Sequence, residues 1–213
     1  MKNFKFYILA IFAVGFIANS CKDIVQYDEG DNKTDEPSTE KVDKEKSKSL
    51  ALGDVKNAKT KVIETNLNSK SDSKASGDIV FTERTGQVKM EAKFSGLKPG
   101  THAIHLHENA NCSSKDGKTA GGHWNPTNEK HGKWGDAEGY HKGDIGNFEV
   151  DEEGNATVHF ETSQWCIACD DSTKNIIGRS VVVHQGGDDF ISQPAGDAGK
   201  RVGCSEIKTY VEK

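Results

Sequence analysis

The sequence predicts an all-β domain, and three observations carry that prediction. Residues 87–94, QVKMEAKF, alternate without a break, with Val88, Met90, Ala92 and Phe94 on one face and polar or charged side chains on the other. This is the pattern of a half-buried antiparallel strand. Phe148 and Val150, then Ala156, Val158 and Phe160, alternate on either side of the run DEEGN at 151–155, a hairpin signal. No stretch carries helical amphipathic periodicity, and 22 glycines favour short strands joined by turns. The architecture is a sandwich or a barrel.

The other elements are placed in turn along the chain. Short strands and turns begin near residue 59. Ser95 to Gly100, SGLKPG, is a turn, 101–107 is the next strand, and the β-branched run Val181-Val182-Val183-His184 is another. Between them lie two long loops, roughly 108–144 and 162–178. Loops of that length in a compact domain are usually functional.

Before the strands, the chain reads as targeting sequence and spacer. Lys2 and Lys5 precede the thirteen apolar or small residues 6–18, too few to span a bilayer comfortably and suited to a signal peptide over 1–20. Ala18-Asn19-Ser20-Cys21 resembles a bacterial lipoprotein cleavage site, with Cys21 the residue that takes the lipid. Ordinary signal-peptidase cleavage is the alternative. Residues 22–48 hold nine acidic and six basic residues, so almost nothing there can be buried, and 21–58 is read as a lipidated cysteine and its disordered tether. The domain proper is 59–213. The formal charge of the whole chain is −5, which argues against a nucleic-acid partner. Without Cys21, four cysteines remain, Cys112, Cys166, Cys169 and Cys204. An even number in an exported protein makes disulfides plausible, with three pairings open.

Strand parity sorts the histidines. In the strand 101–107, His105 and His107 share one face while Ile104 and Leu106 supply core on the other. His102 has the parity of the core residues and is read as a buried structural group. In the second run Val181 and Val183 enter the core, which leaves His184 outside. Two strands can thus offer three imidazoles to one ion, and a histidine-only set suits copper or zinc. The long loop adds His123, His131, His141 and Asp144, a reasonable tetrahedral zinc set. His159, on the polar face of its hairpin, is read as surface.

Five segments then match, in order, the signature of one family: His-Leu-His-Glu at 105–108, Gly-Gly-His-Trp-Asn-Pro at 121–126, His-Lys-Gly-Asp-Ile-Gly-Asn at 141–147, Gly-Arg-Ser-Val-Val-Val-His at 178–184 and Gly-Lys-Arg-Val-Gly-Cys at 199–204. Over roughly 59–213 the chain resembles the copper/zinc superoxide dismutases, in their bacterial exported form. That family is a standard example of sandwich architecture and of near-diffusional rates. The resemblance implies a Greek-key barrel or sandwich of about eight antiparallel strands. It implies copper on His105, His107, His123 and His184, and zinc on His123, His131, His141 and Asp144, with His123 bridging the two. Asp188 corresponds to the carboxylate that orients one ligand of each metal. Arg201 corresponds to the arginine that attracts the anionic substrate, and Cys112 and Cys204 to the disulfide that fixes the ligand loop to the barrel. The implied reaction converts superoxide to dioxygen and hydrogen peroxide, with His123 and Arg201 as the catalytic residues and His123 carrying a proton. The implied setting is a membrane-tethered lipoprotein of a bacterial cell envelope, periplasmic or surface-facing, as monomer or homodimer.

Some features depart from the common pattern. Gly121-Gly122-His123-Trp124 stands where Gly-Pro-His-Phe is more usual, the loop from His131 to His141 is slightly longer, and residues 185–190 carry no lysine. Trp165-Cys166-Ile167-Ala168-Cys169-Asp170 has no counterpart in the common form. Its C-x-x-C is a local disulfide, a redox pair or half a metal site, and an exported all-β domain favours the disulfide. Two other function classes are weighed against the enzyme. A domain that buffers copper or zinc without turnover would be expected to lack a ligand or the arginine. A structural surface lipoprotein would not need two complete ligand sets.

Overall fold

The computed structural model describes residues 58–213. The leader, Cys21 and nearly all of the tether lie outside the described residues. Among the described residues nine strands run in chain order: β1 (Lys61–Ser69), β2 (Ser76–Arg84), β3 (Gln87–Ser95), β4 (Gly100–His107), β5 (Gly146–Val150), β6 (Ala156–Thr162), β7 (Ser180–His184), β8 (Arg201–Glu206) and β9 (Val211–Glu212). All their pairings are antiparallel, in the order β5-β4-β7-β8-β1-β2-β3-β6, with β9 beside β1. The result is a nearly closed eight-stranded barrel. One 3-10 turn, Lys118–Ala120, is the sole helical element among the described residues.

The alternation of β3 sets the core. Val88, Met90, Ala92 and Phe94 are buried, while Gln87, Lys89, Glu91 and Lys93 are exposed. Ile63, Leu67, Ile79 and Phe81 of β1 and β2 join them, and Ile104, Leu106, Val181 and Val183 close the core from β4 and β7. A fully buried aliphatic or aromatic side chain contributes about 1.5–3 kcal/mol, so this continuous apolar interior supplies a rigid platform for the loops.

The hairpin expected at 148–160 takes a different form. A tight turn is present, with the Asp151 amide bonded to the Asn155 carbonyl at 2.9 Å. The strands on either side then diverge, β5 pairing with β4 and β6 with β3. The alternating pattern reports which face is buried but not which strand is the partner, so the turn crosses the seam of the barrel instead of closing a two-stranded ribbon.

Val182 lies on the opposite side of β7 from Val181 and Val183. It forms a small second cluster with Ala120, Cys204 and Cys112 beneath the 108–145 loop. That outer face of β4, β7 and β8 carries the functional site. Between Val183 and His184 the register with β8 shifts, so that Val183 faces Gly203 while His184 faces Arg201. The bulge changes the parity of β8. Cys204 and Arg201, three residues apart, would point to opposite faces of a regular strand. Here both reach the same loop, Cys204 through a disulfide to Cys112 and Arg201 through hydrogen bonds to Gly117 and Gly121.

Candidate metal centre

Two buried side-chain clusters share one histidine. Ligand-capable atoms of His105, His107, His123 and His184 lie within 4.8 Å of one another, and so do those of His123, His131, His141 and Asp144. Every ligand position expected from the sequence is brought together. β4 supplies His105 and His107, β7 ends at His184, and the 108–145 loop supplies the rest.

The loop is stitched to the strand through both backbone groups of Leu106. Leu106, between His105 and His107, accepts a hydrogen bond from the Trp124 amide at 2.8 Å and donates its own to the Gly143 carbonyl at 2.9 Å. The Gly143 amide donates in turn to the Trp124 carbonyl at 3.0 Å. His123 and the His141–Asp144 turn are thereby registered against the two strand histidines. Gly143 must be glycine for this approach, because a β-carbon there would sit 2.2 Å from the Leu106 oxygen.

Each ring is oriented by one nitrogen and presents the other. His105 donates through Nε2 to Asp188 Oδ2 at 2.9 Å. His131 donates through Nε2 to Asp188 Oδ1 at 3.1 Å. His107 donates through Nδ1 to the Gly121 carbonyl at 3.0 Å, and His141 through Nε2 to the Glu129 carbonyl at 3.2 Å. Of the remaining nitrogens, His105 Nδ1 and His123 Nε2 are buried with no hydrogen-bond partner, and His131 Nδ1 and His141 Nδ1 face only the Asp144 carboxylate, at 3.0 and 3.4 Å. Buried polar atoms are normally paired, because leaving them unpaired costs free energy. A set of orphaned ring nitrogens converging on common points, with their opposite nitrogens anchored, is the donor arrangement of a metal site.

The electrostatics divide between the two clusters. Burial holds His107 and His184 well below the usual imidazole range, with neighbouring histidines and the Arg201 charge adding to it. Burial likewise lowers His123 to about 4 against the opposing pull of Asp144, which lies 2.8 Å from its Nδ1. These rings are neutral, the form that binds a metal. On the other side, burial pulls His131 down, but its contacts with Asp144 and Asp188 outweigh that and raise it to about 9. Burial would raise Asp144, yet contacts with His123, His131 and His141 hold it far below the usual carboxylate range. Burial would raise Asp188 too, and it is lowered in the same way by His105 and His131.

Arg201 is fixed by two hydrogen bonds, to the carbonyls of Gly117 at 2.8 Å and Gly121 at 2.7 Å. Cys112 and Cys204 are joined, as are Cys166 and Cys169. The latter bridge selects the local disulfide from the readings the motif left open. His102 is buried, with ring nitrogens 2.6 Å from the His184 carbonyl and 2.8 Å from that of Lys98, as a structural group should be. His159 is exposed beside Glu91. Sequence reasoning missed the carbonyl of Gly121, which serves both His107 and Arg201, and Gly196, where a β-carbon would lie 2.0 Å from Asp188 Oδ1. The Gly-Gly pair before His123 was the available signal for the first.

The family model for copper/zinc superoxide dismutase matches residues 75–207. The chain belongs to that family. It is 35% identical over 147 residues to superoxide dismutase [Cu-Zn] 1 of Aquifex aeolicus, covering 67% of this chain and 84% of that one. It is 31% identical over 141 residues to superoxide dismutase [Cu-Zn] of Deinococcus radiodurans, covering 62% and 76%. Among solved structures, a double mutant of a SOD-like protein from Bacillus subtilis superposes with a TM-score of 0.62 at 29% identity, covering 68% of this chain and 97% of that one. The clock protein EA4 gives 0.59 at 30% identity, covering 70% and 94%. Superoxide dismutases, a SOD-like protein and a clock protein thus share one architecture. Function within the copper/zinc superoxide dismutase family has to be argued from the site itself.

Proposed function

We propose that this chain is a copper/zinc superoxide dismutase, holding copper on His105, His107, His123 and His184 and zinc on His123, His131, His141 and Asp144. The observation that carries the reading is the sharing of His123 between two complete, buried ligand groups. An imidazole-only set suits copper, and three imidazoles with a carboxylate suit zinc.

When bound, copper supplies the one-electron couple that converts superoxide alternately to dioxygen and to peroxide, and zinc supplies a fixed positive charge on the shared ring. The chain's own residues do the rest. Arg201 places a cation beside His107 in a protein of formal charge −5, so local attraction has to offset global repulsion of an anionic substrate. His123 Nε2 is buried and unpartnered, which makes it the atom able to hold a proton and yield it to the second substrate molecule as peroxide forms. Asp188 keeps His105 and His131 in fixed orientation. The bridge from Cys112 to Cys204 holds the loop whose carbonyls seat Arg201.

The deciding experiment is metal analysis of the purified protein together with direct observation of superoxide decay. One copper and one zinc per chain with rapid consumption is expected. The same metal content without consumption would replace the enzyme by a metal-buffering domain.

The enzyme is further proposed to act in a bacterial cell envelope, tethered by lipid on Cys21 after removal of residues 1–20. The short apolar leader, the small residues before Cys21 and the highly charged spacer support this reading. Cys21→Ser should move the protein from the membrane to the soluble fraction. Retention in the membrane would remove the lipid anchor from the proposal.

A further inference from the structure

The longer stretch between His131 and His141 is not left to itself. Trp134 and Tyr140, both within it, pack as a tilted pair with ring centroids 4.9 Å apart, and Trp134 meets Phe160 of β6 edge-on at 4.8 Å. Trp165 completes the group, at 5.9 Å from Trp134 and 4.9 Å from Phe160, and is almost wholly buried. Aromatic pairs at these separations stabilise the fold beyond the area they bury. The extension is thereby folded down on the barrel.

Trp165 does more than pack. Its indole N–H donates to the Lys142 carbonyl at 2.8 Å, the residue between His141 and Gly143. Gly143 is already held from the other side by Leu106 and Trp124. The His141–Asp144 turn, which carries two of the four zinc-side ligands, is therefore gripped from both flanks, and Trp165 is the grip opposite β4. Gln164 adds a second contact, donating to the Tyr140 hydroxyl at 2.6 Å and accepting from Lys142 Nζ.

The segment on the C-terminal side of Trp165 fixes it in turn. Cys166 is bonded through its amide to the Lys174 carbonyl at 2.9 Å and through its carbonyl to the Ile176 amide at 3.0 Å. The disulfide to Cys169 closes the segment into a small ring. The Ile167 amide donates to Glu83 at 2.8 Å, and Lys61 Nζ donates to the Ile167 carbonyl at 2.6 Å. The departure from the common family pattern thus sits directly behind the residue that touches the zinc-side turn.

We propose that Trp165 is a positioning residue for the zinc half of the site, acting through the Lys142 carbonyl, and that the Cys166–Cys169 ring exists to hold Trp165 in place. This rests on the dismutase reading above and deepens it. His141 and Asp144, the ligands that flank Lys142, belong to the zinc group alone, so zinc release is the property that should respond.

The test uses full-length protein loaded with copper and zinc, and separately with cobalt in place of zinc. Trp165→Phe keeps an aromatic ring and removes the N–H, whereas Phe160→Leu loosens the same aromatic group and leaves the hydrogen bond. Trp165→Phe should release zinc to a chelator roughly tenfold faster, the scale seen when a partner that orients ligands is lost. It should also alter the cobalt absorption bands while copper release is unchanged. Phe160→Leu should lower Tm without either change, and Cys166→Ser with Cys169→Ser should shift zinc release in the same direction as Trp165→Phe. Zinc release that follows Tm equally in all variants, or is unchanged in Trp165→Phe, would overturn the positioning role and leave the dismutase reading intact. Failure of the unmodified protein to take up zinc at all would bring down both.

Discussion

His107 and Arg201 donate to the same acceptor, the carbonyl oxygen of Gly121, at 3.0 and 2.7 Å. The His107 ring and the Arg201 guanidinium are therefore held in register by one peptide. Arg201→Glu is expected to lower kcat/KM by roughly tenfold to a hundredfold, the scale of focused electrostatic attraction. It should also reverse the sign of the ionic-strength dependence, with copper content unchanged. Arg201→Lys should recover part of the rate, since it keeps the charge but not the two-pronged grip. Stopped-flow superoxide decay at several salt concentrations reads both. A salt profile unchanged by the charge reversal would remove Arg201 from substrate attraction.

Asp188 accepts from His105 and His131 through different oxygens, so a single carboxylate orients one ligand in each cluster. Asp188→Ala should weaken zinc binding about 10- to 100-fold, as loss of a ligand-orienting partner does. It should also broaden the copper electron paramagnetic resonance signal. Gly196→Ala attacks the same atom from outside, because the added β-carbon would lie 2.0 Å from Asp188 Oδ1. Competition with a zinc chelator should rank both variants below the parent protein. Parent-like affinity in both would mean that the ligands hold their orientation unaided.

The two strand histidines were legible because strand parity is a local property. His105 and His107 fall opposite Ile104 and Leu106 whatever the neighbouring strands do. The same rule placed His102 in the core and His184 outside it. Arg201 was legible only through family resemblance, since parity alone sets it against Cys204. The bulge between Val183 and His184 resolves the conflict, and it depends on pairing between distant strands. The partners of β5 and β6 escaped for that reason too. Trp165 was hidden differently: its indole meets a carbonyl 23 residues away in sequence, and nothing local marks that contact.

Zinc uptake should be coupled to proton release. In the metal-free protein His131 is raised to about 9 by Asp144 and Asp188, in spite of burial, so at pH 7 it carries a proton that zinc must displace. About one proton per zinc should leave His131 at pH 7, falling toward none as the pH rises through 9. Over the same range apparent zinc affinity should climb with pH and then level off. The sign also applies to the metal-free fold: the raised value stabilises it below the ordinary value of 6.5, and this contribution disappears as pH rises through 9. Calorimetry in buffers of different ionisation enthalpy measures the proton count directly. A count near zero at pH 7 would mean that His131 is already neutral.

The Cys112–Cys204 bridge joins residues 92 apart and seals the cluster formed by Ala120, Val182 and Cys204. On the chain-entropy model a loop of that length stabilises the fold by about 4–5 kcal/mol, against roughly 2 kcal/mol for the short ring of Cys166 and Cys169. At about 2–4 °C per kcal/mol for a domain of this size, Cys112→Ser should lower Tm by roughly 10–15 °C. The effect on rate should appear well below that temperature. The bridge anchors the 108–145 loop, whose carbonyls at Gly117 and Gly121 seat Arg201, so the guanidinium loses its fixed place while the barrel is still folded. Calorimetry and superoxide decay at 25 °C on Cys112→Ser test the two effects separately. A lowered Tm with a parent-like kcat/KM would confine the bridge to stability and leave the seating of Arg201 to its own hydrogen bonds.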